Sequence, residues 1–188
     1  MGNRGRLHDP ETKALLGRRW ALKAWLICLT EFKGRNRDVM GHSYTELFFL
    51  DEVTALAAGH RPCFEWQRTA AKAYQSAWQK AAKLDEPPKV AVMDAQLHNE
   101  RLNEREKRKH QVGKNTLPDG AIIEHEGQLY ALKQSVLLLW SFEGYQTTDI
   151  SYDDLPKIVT CLTPPSTLDV LKGGYQAVWH KSAFSLAR

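Results

Sequence analysis

Cysteine is scarce in this chain, and the scarcity closes off several classes of protein. Three cysteines among 188 residues, Cys28, Cys63 and Cys161, are odd in number and far apart. They cannot build a disulfide framework, and their use fits a reducing cytoplasm. There is no Cys-x-x-Cys pair of the kind that opens a zinc finger, no Gly-x-Ser-x-Gly and no glycine-rich phosphate loop. No apolar run approaches the roughly 20 residues of a membrane span. The opening Met1-Gly2-Asn3-Arg4-Gly5-Arg6 holds no apolar signal core, so export is not indicated. Arg6 also stands where a myristoylation signal needs Ser or Thr.

What is present is an ordinary globular composition with an uneven charge. Hydrophobic residues make up 43% and charged residues 26%, enough for one domain or two small ones. Residues 1–120 carry 21 of the 26 Lys and Arg residues but only 15 of the 22 acidic ones. A basic front and a mildly acidic back point to a polyanion as partner for the front.

The stretch from Tyr44 to Lys83 has the clearest local signals. Glu46-Leu47-Phe48-Phe49-Leu50 reads as a short buried strand. Asp51 is a good N-cap, because its carboxylate can accept from free amides of the first helical turn. Val53, Leu56 and Ala57 then share a helical face. Gly59 is a natural helix stop and Pro62 prevents continuation. A second helix is expected from about Phe64 to Lys83, with an apolar stripe of Phe64, Ala71, Tyr74, Trp78 and Ala81.

Phe48-Phe49-Leu50-Asp51 and Ala55-Leu56-Ala57-Ala58-Gly59-His60-Arg61-Pro62-Cys63 resemble the second half of the zinc module of Ada-type alkylation-response proteins. In that family a zinc-held cysteine accepts methyl groups from DNA phosphotriesters, so the resemblance implies a DNA-facing scaffold. The family's next cysteine would fall at position 66, where Trp66 stands, and of its upstream cysteine pair only Cys28 has a counterpart. Methyl-acceptor activity is therefore not expected, and no metal site is assigned. A substitute zinc set of Cys28, His42, His60 and Cys63 can be drawn, without the paired spacing of a zinc signature. The whole chain also resembles a group of bacterial proteins that open Met-Gly-Asn-Arg-Gly-x-Leu-His-Asp. They share the stretches seen here at Gly59–Cys63, Leu97–Leu102 and Leu162–Pro165, and the likeness implies no activity.

Elsewhere the pattern predicts a basic N-terminal arm, a buried strand within Trp20–Thr30 and a basic turn at Lys33-Gly34-Arg35-Asn36-Arg37. Two prolines, Pro87 and Pro88, end the second helix. A third helix is expected from Val92 to about Gln111, finishing in a run of cations that also suits a helix C-terminus. Residues 112–120 read as a linker, followed by strands near 121–124, 128–132, 135–140 and 145–148. Ile158–Leu162 reads as another strand, and a short helix over Thr167–Lys172, capped by Ser166, stops at Gly173-Gly174. Setting Gly174 on Gly59 aligns Leu171 with Leu56 and Tyr175 with His60, one strand–helix–glycine device used twice.

The expected fold is α+β: a basic front region over 1–111, the linker, and a small antiparallel β meander with one helix over 121–188. The leading functional expectation is nucleic-acid binding, DNA before RNA, through backbone phosphates. The candidate contacts are Arg4, Arg6, Lys33, Arg35, Arg37, Arg61, Arg105, Lys107, Arg108 and Lys109, with Arg61 the best positioned, on a rigid turn. A metal-assisted nuclease or hydrolase drawing on His8, Asp9, His42, His60, His98 and Glu100 is an alternative that needs those side chains to converge. A protein-binding or scaffold role through tryptophan-rich surfaces is another.

Overall fold

The N-terminal arm is tied down by main-chain pairing. In the computed structural model, which describes residues 1–30 and 39–184, β1 (Gly2–Asn3) pairs antiparallel with β2 (Leu26–Ile27). The expected strand at Glu46–Leu50 shrinks to one bridge, Leu47 to Gly2. Leu47 exchanges both main-chain bonds with Gly2, the Thr45 amide just ahead donates to Gly5 O, and Phe48 is left 68% exposed. Next come α1 (Glu52–Ala57) and β3 (Arg61–Pro62), which lies parallel to β2. Asp51 caps α1 as expected, its Oδ1 accepting from the Thr54 amide at 2.8 Å.

α2 (Arg68–Ala81) buries Ala71, Tyr74, Ala77 and Trp78. It begins after a turn at Phe64–Trp66, later than the apolar stripe suggested. α3 (Val90–Arg101) stops well short of the expected Gln111. Arg101 is fully buried, Leu102 is already extended, and the Arg108 amide returns to the Arg101 carbonyl at 3.0 Å. The cation run therefore lies on a hairpin, β4 (Leu102–Asn103) and β5 (Glu106–Lys107), and not on a helix end.

β6 (His110–Gly113) and a 3-10 turn at Lys114–Thr116 occupy much of the segment read as a linker. β7 (Ile122–His125), β8 (Gln128–Lys133), β9 (Val136–Ser141) and β10 (Gly144–Gln146) form the antiparallel meander. β11 (Ile158–Cys161) inserts antiparallel between β7 and β6, giving the order β10-β9-β8-β7-β11-β6. α4 (Pro165–Lys172) follows, with Pro164 and not Ser166 at its N-cap. The fold is α+β, and among the described residues no helix is long and apolar enough to cross a membrane.

α1 and α4 end alike. The Gly59 amide donates to Leu56 O (2.9 Å) and His60 to Ala55 O (3.0 Å); Gly174 donates to Leu171 O (3.1 Å) and Tyr175 to Val170 O (3.2 Å). Each is a Schellman stop, with φ of +87° at Gly59 and +103° at Gly174.

Neither region closes its core alone. Leu56 of α1, Tyr74 and Trp78 of α2, Met93 and Leu97 of α3, and Val170 and Leu171 of α4 share one apolar cluster. Residues alternate along the sheet: Ile123, Tyr130 and Leu137 pack with Leu168, while Ile122, Ala131 and Leu138 pack with Val53 and Ala57. Fully burying a side chain such as Leu168 or Leu171 contributes about 1.5–3 kcal/mol as an upper estimate. α4 thus acts as a wedge between the helices and the sheet, and α1 is seated on the sheet's other face.

Candidate anion-binding pocket

A pocket of about 300 Å³ opens between the N-terminal arm, α1, the β4–β5 hairpin and the sheet. Ala57, Ile122, Leu129, Trp140 and Leu162 give it an apolar wall. Its charged lining consists of Arg4, Arg19, Arg101, Arg105 and Lys107, with no carboxylate. The exposed Arg19 and Arg105 stand at the rim, and the buried Arg101 lies deepest.

The geometry of this cluster starts at Trp25. Its indole is buried, with Nε1 donating to Leu22 O at 3.1 Å. The guanidinium carbons of Arg4 and Arg101 lie 3.7 and 3.9 Å from its ring centroid, close cation–π contacts that let two like charges share one site. Arg4 Nε donates to His60 Nε2 at 3.2 Å. His60 is fully buried against Trp25 and Phe49, and burial, reinforced by Arg4 and Arg101, holds its pKa well below the ordinary value of 6.5. It is a neutral acceptor for Arg4.

Arg101 Nη1 donates to Gly59 O at 2.8 Å and Nη2 donates to Lys23 O and, at 3.2 Å, to His98 Nδ1. Glycine at position 59 makes this approach possible, since a Cβ there would meet the Arg101 side chain at 2.7 Å. Near the end of α1, Thr54 O, Ala55 O and Leu56 O are occupied by the stop motif, and Gly59 O just beyond it by Arg101. At the rim Arg19 pairs with Glu106 at 3.3 Å, and Arg105 donates to Gly17 O.

Three residues that line this pocket each keep a buried donor without an acceptor among the described residues: Lys107 Nζ, Arg101 Nε and Trp140 Nε1. Burial pushes Arg101 down to about 9 and the Lys107 amine down to about 8; Arg4 depresses both and Arg101 depresses Lys107, while Asp94 favours the charged Arg101 and Cys161 and Glu100 the charged Lys107. Buried donors normally find partners, and a buried cation without a counter-charge is costly. The pocket is short of acceptor oxygens.

Of the residues expected to contact phosphate, Arg4, Arg105 and Lys107 are brought together here. Arg19 and Arg101, which the sequence places in the basic arm and the cation run but not among the leading contacts, join them. Arg61 is a correction: it lies outside the pocket lining and its Nε and Nη2 each donate to Asp94 at 2.8 Å, so its charge is already paired. Lys109 pairs with Glu124, and exposed Arg6 donates to His42 O at 3.3 Å. Arg108 is exposed beside His98 and Glu104 at a shallow depression. Lys33, Arg35 and Arg37 lie outside the described residues.

The residues of the nuclease alternative are spent separately. His8 is buried with its ring nitrogens 2.6 Å from Thr45 Oγ1 and 2.8 Å from Gly41 O. Asp9 caps the turn at Glu11 and Thr12, His42 faces Glu11 at 3.9 Å, and Glu100 accepts from Ser166. Among the described residues no three or more His, Cys, Asp and Glu side chains are grouped to hold a metal ion. Cys28 and Cys63 do adjoin in a buried cluster with Trp66, while His42 is largely exposed elsewhere. The neighbouring Cys28 thiol holds Cys63 down to about 6, against the opposing effect of burial. The six tryptophans do not form exposed surfaces, since each is buried or half-buried.

No protein-family model, curated protein or solved structure matches the chain.

Proposed function

We propose that the protein binds nucleic acid, DNA before RNA, by seating a phosphate-bearing group of the strand in the cation-lined pocket. The observation that carries this reading is the cation excess: five cationic side chains and no carboxylate line one concave site, and three residues of that lining keep a buried N–H without an acceptor among the described residues. A phosphate supplies both the negative charge and several acceptor oxygens, and guanidinium forks match it well. The apolar wall with Trp140 gives a base or sugar something to lie against. A concave site of about 300 Å³ suits a strand end or an unpaired nucleotide better than the outside of a duplex. No methyl-acceptor role follows from Cys63, which is buried against Cys28 and Trp66.

The test is anisotropy of labelled single-stranded and duplex oligonucleotides over a salt series. Log affinity is expected to fall linearly with log salt, with single strands bound more tightly. Arg19→Ala and Arg105→Ala, both at exposed positions, are each expected to weaken binding and reduce the salt slope by about 1. Lys109→Ala, outside the pocket, is expected to leave both nearly unchanged. Absence of binding at low salt overturns the reading.

A further inference from the structure

Phosphate binding accounts for arginines at the pocket but not for the kind of cation at position 107. Lys107 is carried by β5, and the hairpin folds it inward so that Nζ is buried with no acceptor among the described residues. Arg101 and Arg4 line the same site, so the ammonium form meets two like charges there, with no carboxylate on the lining. A lysine that only grips phosphate does best as a fully charged, well-hydrated point charge. A lysine that is desolvated and crowded by cations is moved toward the neutral amine, the form that can attack carbon.

We propose that Lys107 is a nucleophile that condenses with an aldehyde carried next to a phosphate, forming an imine in the pocket. This rests on the phosphate-binding reading, since Arg4, Arg19, Arg101 and Arg105 provide the charge that brings such a compound in. The neutral Nζ lone pair attacks the aldehyde carbon and forms the C–N bond as the C=O π pair moves to oxygen, which takes the proton the nitrogen sheds, giving a carbinolamine. Loss of that hydroxyl together with the second N–H proton, as water, breaks the C–O bond and leaves C=N. One amine and one aldehyde give one imine and one water, with no change of oxidation state. Trp140 and Arg101 line the same pocket, and each has a buried N–H, Nε1 and Nε, without an acceptor among the described residues, a donor that a carbonyl or phosphate oxygen would satisfy. The fall of the Lys107 amine to about 8, caused first by burial, leaves roughly a tenth of it neutral near pH 7, far more than for an exposed lysine. The shared chemistry has two sources: the ring-opened sugar of an abasic nucleic-acid strand, or a free phosphorylated aldehyde.

The experiment is reductive trapping on the full chain. It is incubated with a single strand bearing one abasic site, with glyceraldehyde 3-phosphate, or with unphosphorylated glyceraldehyde, then treated with borohydride and mapped by peptide mass. One adduct at Lys107 is expected, at least about tenfold more with a phosphate-bearing probe than with glyceraldehyde, and suppressed by inorganic phosphate. Which phosphate-bearing probe gives it identifies the source. Lys107→Arg is expected to abolish the adduct, whereas Lys109→Ala, outside the pocket, is expected to keep it. Adducts spread over exposed lysines, or an adduct insensitive to phosphate, overturn the proposal even if Lys107→Arg fails to fold. Binding without any adduct overturns it and leaves the phosphate site standing; no binding of any anionic probe overturns both.

Discussion

Arg61 and Asp94 meet in a two-pronged ion pair, Nε to Oδ1 and Nη2 to Oδ2 both at 2.8 Å, with neither side chain more than a tenth exposed. The pair pins the turn after α1 to α3, across a gap in sequence that holds all of α2. Breaking a buried pair from one side strands a charge. Asp94→Asn or Arg61→Met is therefore expected to cost about 3–5 kcal/mol in urea unfolding, and the double change Arg61→Met with Asp94→Leu to recover most of it. Oligonucleotide affinity per folded molecule should be the same in Arg61→Met as in the wild type. A reduced salt slope there would show that Arg61 reaches phosphate after all.

The two Schellman stops offer a matched comparison. At Gly174 a Cβ meets nothing within 4 Å, so Gly174→Ala is expected to cost only the left-handed backbone, about 1–3 kcal/mol. At Gly59 the same change adds a contact of 2.7 Å with Arg101, so the cost should be larger. Gly59→Ala should also weaken oligonucleotide binding, because Arg101 must leave Trp25. Equal losses of thermal stability in the two variants would show that Arg101 gives way freely.

Acid sensitivity should trace in part to His60. Its folded pKa lies well below 6.5, because burial and then the charges of Arg4 and Arg101 oppose protonation. As pH falls past about 6.5 the unfolded chain takes up this proton and the folded chain does not. The stability His60 contributes is thus present above that pH and is lost below it, by up to about 1.4 kcal/mol per unit, until the folded pKa is reached. Denaturant midpoints from pH 7.5 down to 5.5 should fall less steeply in His60→Phe than in the wild type. Parallel slopes would remove His60 from the account.

Glu100 ties α3 to the start of α4, accepting from the Ser166 amide at 2.9 Å and the Ser166 hydroxyl at 2.6 Å. A carboxylate on first-turn amides also complements the helix dipole. Glu100→Gln and Ser166→Ala are each expected to cost about 1 kcal/mol, and a double-mutant cycle to give a coupling of about 0.5–3 kcal/mol. Additive effects would make the contact incidental.

The local signals in the sequence were legible where one residue decides the outcome. Asp51 caps α1, Gly59 and Gly174 stop their helices, and the alternating residues after Ala121 pair as a meander. Arg61 was misread because its partner lies a helix away, and a charge beside a turn looks solvent-facing when only its neighbours are known. The same blindness keeps Arg19 and Arg101, members of the basic arm and the cation run, off the list of leading contacts, since their places in the pocket depend on Trp25 and on the hairpin. α3 overran in the reading because a run of Arg and Lys suits a helix end as well as it suits a hairpin. Only tertiary burial of Arg101 decides between them. Ser166 looked like a cap, but Pro164 and Pro165 fix the helix start ahead of it.

The insertion of β11 between β7 and β6 also has a meaning in time. Val112 waits, hydrogen-bonding groups open, until Val159 has been made, and the hairpin that carries Lys107 hangs from the same unanchored strand. Leu162, part of the pocket wall, arrives with the same late segment. During synthesis all five cations are therefore made before Ile122, Leu129, Trp140 and Leu162 of the apolar wall, and loop closure over this long separation is a slow step. A nascent or truncated chain would display its cations on an open surface, sticky toward any polyanion, and would acquire a selective concave site only once β11 closes the sheet.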